Sequence, residues 1–159
     1  KMSGERRELD FDNLDQVVSE LNGLLTNGYT PTGNWNLSQI CGHCNDWMRY
    51  SLDGYPQAPP PIRLMLWLMK ISVGRRQFES MINNGFKAKL PTMPETVPEA
   101  DATSDAAAVR QLTETVHRLK ESNGPIAPSP LYGPLTYDEA VQLQLAHCAH
   151  HLGFLKPKE

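Results

Sequence analysis

The chain has 159 residues, 40% of them hydrophobic, which suffices for one domain with a core and falls short of two. Its net charge of −3 leaves no basic surplus, which excludes phosphate-backbone binding as the main activity and with it a nucleic-acid partner. Three cysteines, an odd number with no leader in view, fit a reducing compartment better than a disulfide framework, so a cytoplasmic location is expected; a leader removed ahead of Lys1 stays open as the alternative.

No period-two pattern is sustained anywhere, whereas five segments carry helical spacing, which predicts an all-α fold in a single domain over residues 1–159. The first segment runs from about Asp12 to Leu25, with Phe11, Leu14, Val18, Leu21 and Leu25 on one stripe and Gly23 and Gly28 marking its end. The second opens at Asn36, an N-cap with Gln39 three residues on as in a capping box and with Trp35 set to staple onto Ile40; it continues to about Ser51, before the Asp53-Gly54 turn. The third follows Ala58-Pro59-Pro60-Pro61 and covers Ile62 to about Ile82, with Gly74 as a kink point.

The apolar run Ile62–Val73 within it holds Arg63 and Lys70 and is shorter than the roughly 20 residues of a membrane span, so it is expected to be a core helix. Its large side chains from Leu64 to Met69 exceed what one stripe requires and offer a homodimer contact. A long Pro-rich connection, Asn83 to Thr103, leads to a cap at Thr103 or Ser104 and a fourth helix, Asp105 to Glu121, with Ala108, Leu112, Thr115 and Leu119 on one face and His117 off it. A second Pro-rich loop, Gly124 to Pro134, precedes the last helix, opened by Thr136 with Glu139 three residues later.

That last segment, TYDEAVQLQLAHCAHHLGFLK, holds three of the five histidines. At about 100° per residue, Val141, Leu145, Cys148, Leu152 and Leu155 form one stripe, while Leu143, His147, His150, His151 and Phe154 crowd the opposite side. A helix apolar on two sides lies between neighbours, so His147 and His151, one turn apart, face the interior or a cleft. Imidazoles at i and i+4 converge on one point, as a divalent metal requires. His43 rides the apolar stripe of the second helix, where an unpaired imidazole costs free energy. It is either a core histidine bonded to a backbone carbonyl or the third ligand of a site shared with His147 and His151, since bundles build metal sites from inward side chains of separate helices. His150 competes with His151 as the partner of His147; the i and i+4 pair stacks more directly, which leaves His150 behind the ligands or in the core.

Cys41-Gly42-His43-Cys44 has the lettering of an oxidoreductase dithiol. Such a dithiol places its first cysteine at a helix N-terminus, where free amides lower the thiol pKa. The cap at Asn36 instead puts Cys41 about a turn and a half inside a helix. Adjacent positions on a continuous helix also cannot all face one ion, which argues against a zinc site made of Cys41, His43 and Cys44.

The stretch GNWNLSQICGHC, with LQLAHCAHHLGFL near the far end, resembles the DinB-like (YfiT-like) superfamily of metal-dependent enzymes. SLDGYP, GFKAKLP and SPLYGPLT resemble an uncharacterised bacterial branch of it, so the likeness covers nearly the whole chain. In that superfamily a Trp-led helix carries a first metal histidine, matched here by His43, and a late helix carries His-x-x-x-His-x-Gly, matched by His147, His151 and Gly153. The resemblance implies a four-helix bundle and a zinc-like or nickel-like divalent ion held by the three histidines plus water. Its characterised members include transferases and hydrolases that use low-molecular-weight thiols, the metal activating the thiol as thiolate.

The leading expectation is therefore a divalent-metal transferase or hydrolase acting on a small molecule, with a low-molecular-weight thiol as co-substrate. The runner-up is a non-enzymatic bundle, a binding or stress-associated protein with an empty or structural histidine cluster; ring nitrogens more than about 5 Å apart would favour it. The dithiol oxidoreductase comes third. Arg49, Asp46, Tyr50 and Tyr132 are further candidates for the lining of a cleft near the metal.

Overall fold

The computed structural model describes residues 5–86 and 98–159, and among these the fold is all-α apart from one small sheet. The elements are α1 (Leu14–Asn27), β1 (Tyr29–Pro31), α2 (Leu37–Asp53), α3 (Pro60–Met69), a π turn (Lys70–Gly74), α4 (Arg75–Asn84), α5 (Asp105–Glu121), α6 (Tyr137–Leu152) and β2 (Leu155–Pro157). With α3, the π turn and α4 running on as one rod, the five expected helices are present. Most of the Asn83–Thr103 connection falls in residues 87–97, outside the described residues.

The helix starts follow their cap chemistry. Asn36 Oδ1 accepts from the Gln39 amide while the Gln39 side chain accepts from the Asn36 amide, and Thr136 with Glu139 makes the same reciprocal pair at α6. Ser104, rather than Thr103, caps α5 through its hydroxyl. At the other end of α2, Gly54 takes φ 103°, a conformation that a side chain would strain, and returns its amide to the Tyr50 carbonyl.

Helices α1, α2, α5 and α6 share the main core, α1 and α2 each packing on both α5 and α6. Its centre is Val17, Leu21, Leu24, Leu37, Ile40, Met48, Leu112, Val116, Leu119 and Leu152. The α1 stripe is shifted from the expected one: Leu14, Val17, Leu21 and Leu24 are buried, Val18 is partly covered and Leu25 is exposed. On α6 the helix stops at Leu152, so Leu155 reaches the core from β2 instead.

Two expectations need correction. The period-two search missed β1 and β2, which pair antiparallel with Tyr29 opposite Pro157 and Pro31 opposite Leu155; each strand is three residues long, too short to show alternation. The apolar run in α3 is not a core helix: no α3 residue is buried, and Ile62, Leu64, Met65, Trp67, Leu68 and Ile71 are exposed. The rod turns inward only past Gly74, where Phe78 and Met81 pack with Leu143 of α6 in a second, smaller cluster. Gly74 ends the π turn, and a Cβ there would sit 3.0 Å from the Leu131 carbonyl, so this glycine admits the loop that crosses the rod.

The cysteines belong to the core. Cys41, Cys44 and Cys148 are all free and buried among α1, α2, α5 and α6. Burial pushes the Cys41 thiol well up, and a hydrogen bond with Cys148, added to burial, does the same for Cys44. Two outcomes follow. Leu112→Ala lowers unfolding stability by about 2–5 kcal/mol in urea titration, while Leu64→Ala on the exposed rod changes it by less than about 0.5 kcal/mol; equal costs would displace the core from where it is drawn. All three thiols resist iodoacetamide in the folded state and react once unfolded; rapid labelling of Cys41 and Cys44 in the native protein would restore the dithiol reading.

Candidate metal centre

The site forms where the middle of α2 meets the last two turns of α6. His43 projects from α2 and is buried; His147 and His151 project from α6, one turn apart, and are partly buried. Nε2 of His147 lies 3.0 Å from Nε2 of His43 and 3.1 Å from Nε2 of His151. One ligand nitrogen from each ring falls within 4.8 Å of the others. The structure thus brings together the three histidines that the sequence nominated, inside the separation that would have favoured the runner-up.

Proton accounting shows what this cluster can do. A ring nitrogen carries either one proton or one lone pair, so Nε2 of His147 cannot make well-directed hydrogen bonds to both neighbours at once. Burial first, and then the adjacent imidazoles, hold His147 well below the ordinary histidine pKa and His151 down at about 3. Both rings are therefore neutral at pH 7 and present lone pairs rather than N–H⁺ groups. Neutral imidazoles are what a divalent ion binds. For bonds of about 2.0–2.1 Å, two nitrogens on a tetrahedral ion stand about 3.3 Å apart and on an octahedral ion about 2.9 Å, and the observed 3.0 and 3.1 Å lie between. The donor set fits a three-histidine metal centre.

Aromatic rings wall the cluster. Trp35, expected to staple onto Ile40, stacks on His151 at 5.4 Å and 17° and lies tilted 5.1 Å from His43. Trp47 stands edge-on to His43 and His147, and Phe86, at the end of α4, packs 5.5 Å from His147. These rings cover part of the imidazole surfaces and pack against their planes. Trp47 also meets Tyr50 and Tyr55, and burial raises the Tyr55 hydroxyl to about 12.

His150 is not in the trio. Its Nδ1 accepts from Arg6 at 3.2 Å, and its ring lies 4.9 Å from His151 and 5.9 Å from Phe86. Burial, reinforced by the Arg6 charge, lowers its pKa to about 4. Of the other residues expected near a cleft, Asp46 and Arg49 pair with each other and Arg49 covers Tyr50, which reaches the histidines only through Trp47. Tyr132 lies in the second cluster, against Phe78.

Sequence reasoning missed Phe86, Tyr55 and Gln144. Gln144 is buried, and its Oε1 has no hydrogen-bond partner among the described residues. Three residues before His147 and seven before His151, it shares their face of α6. The sequence carried no signal for Gln144, whose burial is set by packing, nor for Phe86 and Tyr55, which arrive from other elements.

Cys-Gly-His-Cys now divides by residue. Cys41 and Cys44 pack the core, His43 enters the site, and Gly42 leaves room for Pro98, whose Cγ would stand 2.8 Å from a Cβ there. Gly153 works similarly: its carbonyl accepts from the Arg7 amide, and a Cβ would fall 2.6 Å from the Arg7 carbonyl. The glycine lets the N-terminal segment cross the end of α6 beside His150.

No curated protein and no solved structure matches the chain. The family described as a protein of unknown function (DUF1569) matches residues 3–158. With the match running over nearly its full length, the chain belongs to the DUF1569 family.

Proposed function

We propose that this protein is a divalent-metal-dependent transferase or hydrolase of the DinB-like type, a four-helix bundle in which His43, His147 and His151 hold a zinc or nickel ion. The observation that carries this reading is the spacing of 3.0 and 3.1 Å between Nε2 of His147 and the Nε2 atoms of its two neighbours. Such an ion, when bound, supplies a Lewis acid that lowers the pKa of water or of a low-molecular-weight thiol at a position left open by only three protein ligands. The chain supplies the rest. Trp35, Trp47 and Phe86 cover part of the imidazole surfaces and pack against their planes. A groove of about 740 Å³ lies on the far side of Phe86 and His150, which form part of its wall beside Arg6, Asn84 and Gln142, while none of the three histidines lines it. Its size suits a small-molecule substrate.

Metal analysis of protein purified without chelators tests the proposal. About one zinc or nickel per chain is expected. His147→Ala abolishes uptake and His150→Ala retains it. A protein that takes up neither metal on titration, with His147→Ala indistinguishable from it, would falsify the assignment.

The pH response has a definite sign. In the unfolded chain the histidines protonate near 6.5, whereas in the folded, metal-free protein His151 resists down to about 3 and His150 to about 4. Depressed folded values mean stability that is complete above pH 6.5 and lost as the pH falls through the window below it. The melting temperature of EDTA-treated protein therefore drops between pH 7 and pH 5, and His151→Gln flattens that slope. A flat wild-type profile over this range would contradict the burial argument.

A further inference from the structure

The rod from Pro60 to Asn84 carries a surface that the metal centre does not use. Leu64, Trp67, Leu68 and Ile71 are 58%, 49%, 50% and 59% exposed, and their spacing of three and four residues lines them along one face of the rod. Ile62 and Met65 extend the patch. No acidic residue stands between Asp53 and Glu79, while Arg63, Lys70, Arg75 and Arg76 all lie in that interval of a chain whose net charge is −3. Arg75 is paired with Glu79 and Glu139. Arg63, Lys70 and Arg76 make no ion pair among the described residues. Arg63 and Lys70, seven apart, share one flank of the apolar face.

We propose that α3 is a docking helix for an anionic lipid surface. Apolar side chains including a tryptophan on an exposed helix, flanked by unneutralised cations, are the chemistry of an interfacial segment. The apolar stretch of the rod, Ile62–Ile71, spans about 15 Å, half the hydrocarbon thickness of about 30 Å, and no helix among the described residues is long and apolar enough to cross a membrane. The helix therefore lies in the headgroup boundary. A second copy of the chain is the less favoured occupant: pairing along the Leu64–Ile71 face brings two basic flanks together with no carboxylate on either helix to neutralise them.

Co-sedimentation of the whole protein with vesicles tests the proposal. Binding to phosphatidylcholine containing about 30% phosphatidylserine is expected to exceed binding to phosphatidylcholine alone by about tenfold, and to fall as salt is raised. The double variant Leu64→Asp/Leu68→Asp loses about tenfold or more on the anionic vesicles with its thermal melt unchanged, because both positions are exposed. Arg63→Gln/Lys70→Gln loses the preference for anionic lipid alone. Equal partitioning onto both vesicles, no partitioning onto either, or a dimer in sedimentation that Leu64→Asp/Leu68→Asp dissolves while vesicles stay unbound would each overturn it.

Discussion

The first three amides of α2 all donate to side chains: Leu37 to the Tyr29 hydroxyl at 3.0 Å, Ser38 to Asp105 at 3.0 Å and Gln39 to Asn36 at 2.9 Å. Tyr29 in turn donates to Asp105 at 2.9 Å, and burial keeps its hydroxyl protonated by raising its pKa. This clamp satisfies amides that a helix start leaves orphaned, and it also sets the rotation of α2. A slip of one residue turns a helix by about 100°, which would put Gly42 or Cys44 where His43 now stands. The same clamp ties α2 to α5 through Asp105 and to β1 through Tyr29. Since β1 pairs with β2, directly after α6, the segments flanking His43 and the His147–His151 pair are joined by one network.

Charge, more than shape, sets the character of this cluster. His147 and His151 are held well below the ordinary histidine pKa, and Nε2 of His147 lies at hydrogen-bond distance from the Nε2 atoms of both neighbours, more partners than its one proton or lone pair can serve. Protonation would relieve this, but the aromatic walls make protonation expensive, which is why the pKa values of His147 and His151 fall. The Arg6–His150 contact adds positive charge on the groove side without entering the trio.

What the sequence made legible was local chemistry. Asn36 and Thr136 announce their helices because a cap and its N3 partner sit within four residues. His147 and His151 read as a pair because i and i+4 is also a local relation. The α1 stripe came out partly wrong: Leu14 and Leu21 belong to either phase of the pattern, and only packing on α5 and α6 chooses Val17 and Leu24 over Val18 and Leu25. Composition misread α3, since an apolar helix looks the same whether neighbours cover it or not. Trp35, expected as a staple onto Ile40, packs against the core cluster that holds Ile40 and also stacks on His151, a contact across elements that no window of sequence contains.

Apart from the exposed apolar face of α3, several departures from good folding practice lie along α6 and the part of α2 that faces it. Gln144 buries an oxygen without a partner among the described residues, a cost of roughly 1–3 kcal/mol, on the same face of α6 as His147 and His151. His43 is buried and His147 and His151 partly buried around one shared Nε2, Gly42 and Gly153 give up side chains to let Pro98 and the Arg6–Arg7 segment approach, and α6 is otherwise well capped and packed. Elsewhere in α1, α2 and α5 local preference and tertiary packing agree. A sequence optimised for stability alone would replace Gln144 with leucine and the trio with apolar residues of like volume. Local costs beside three convergent nitrogens are compatible with a binding site.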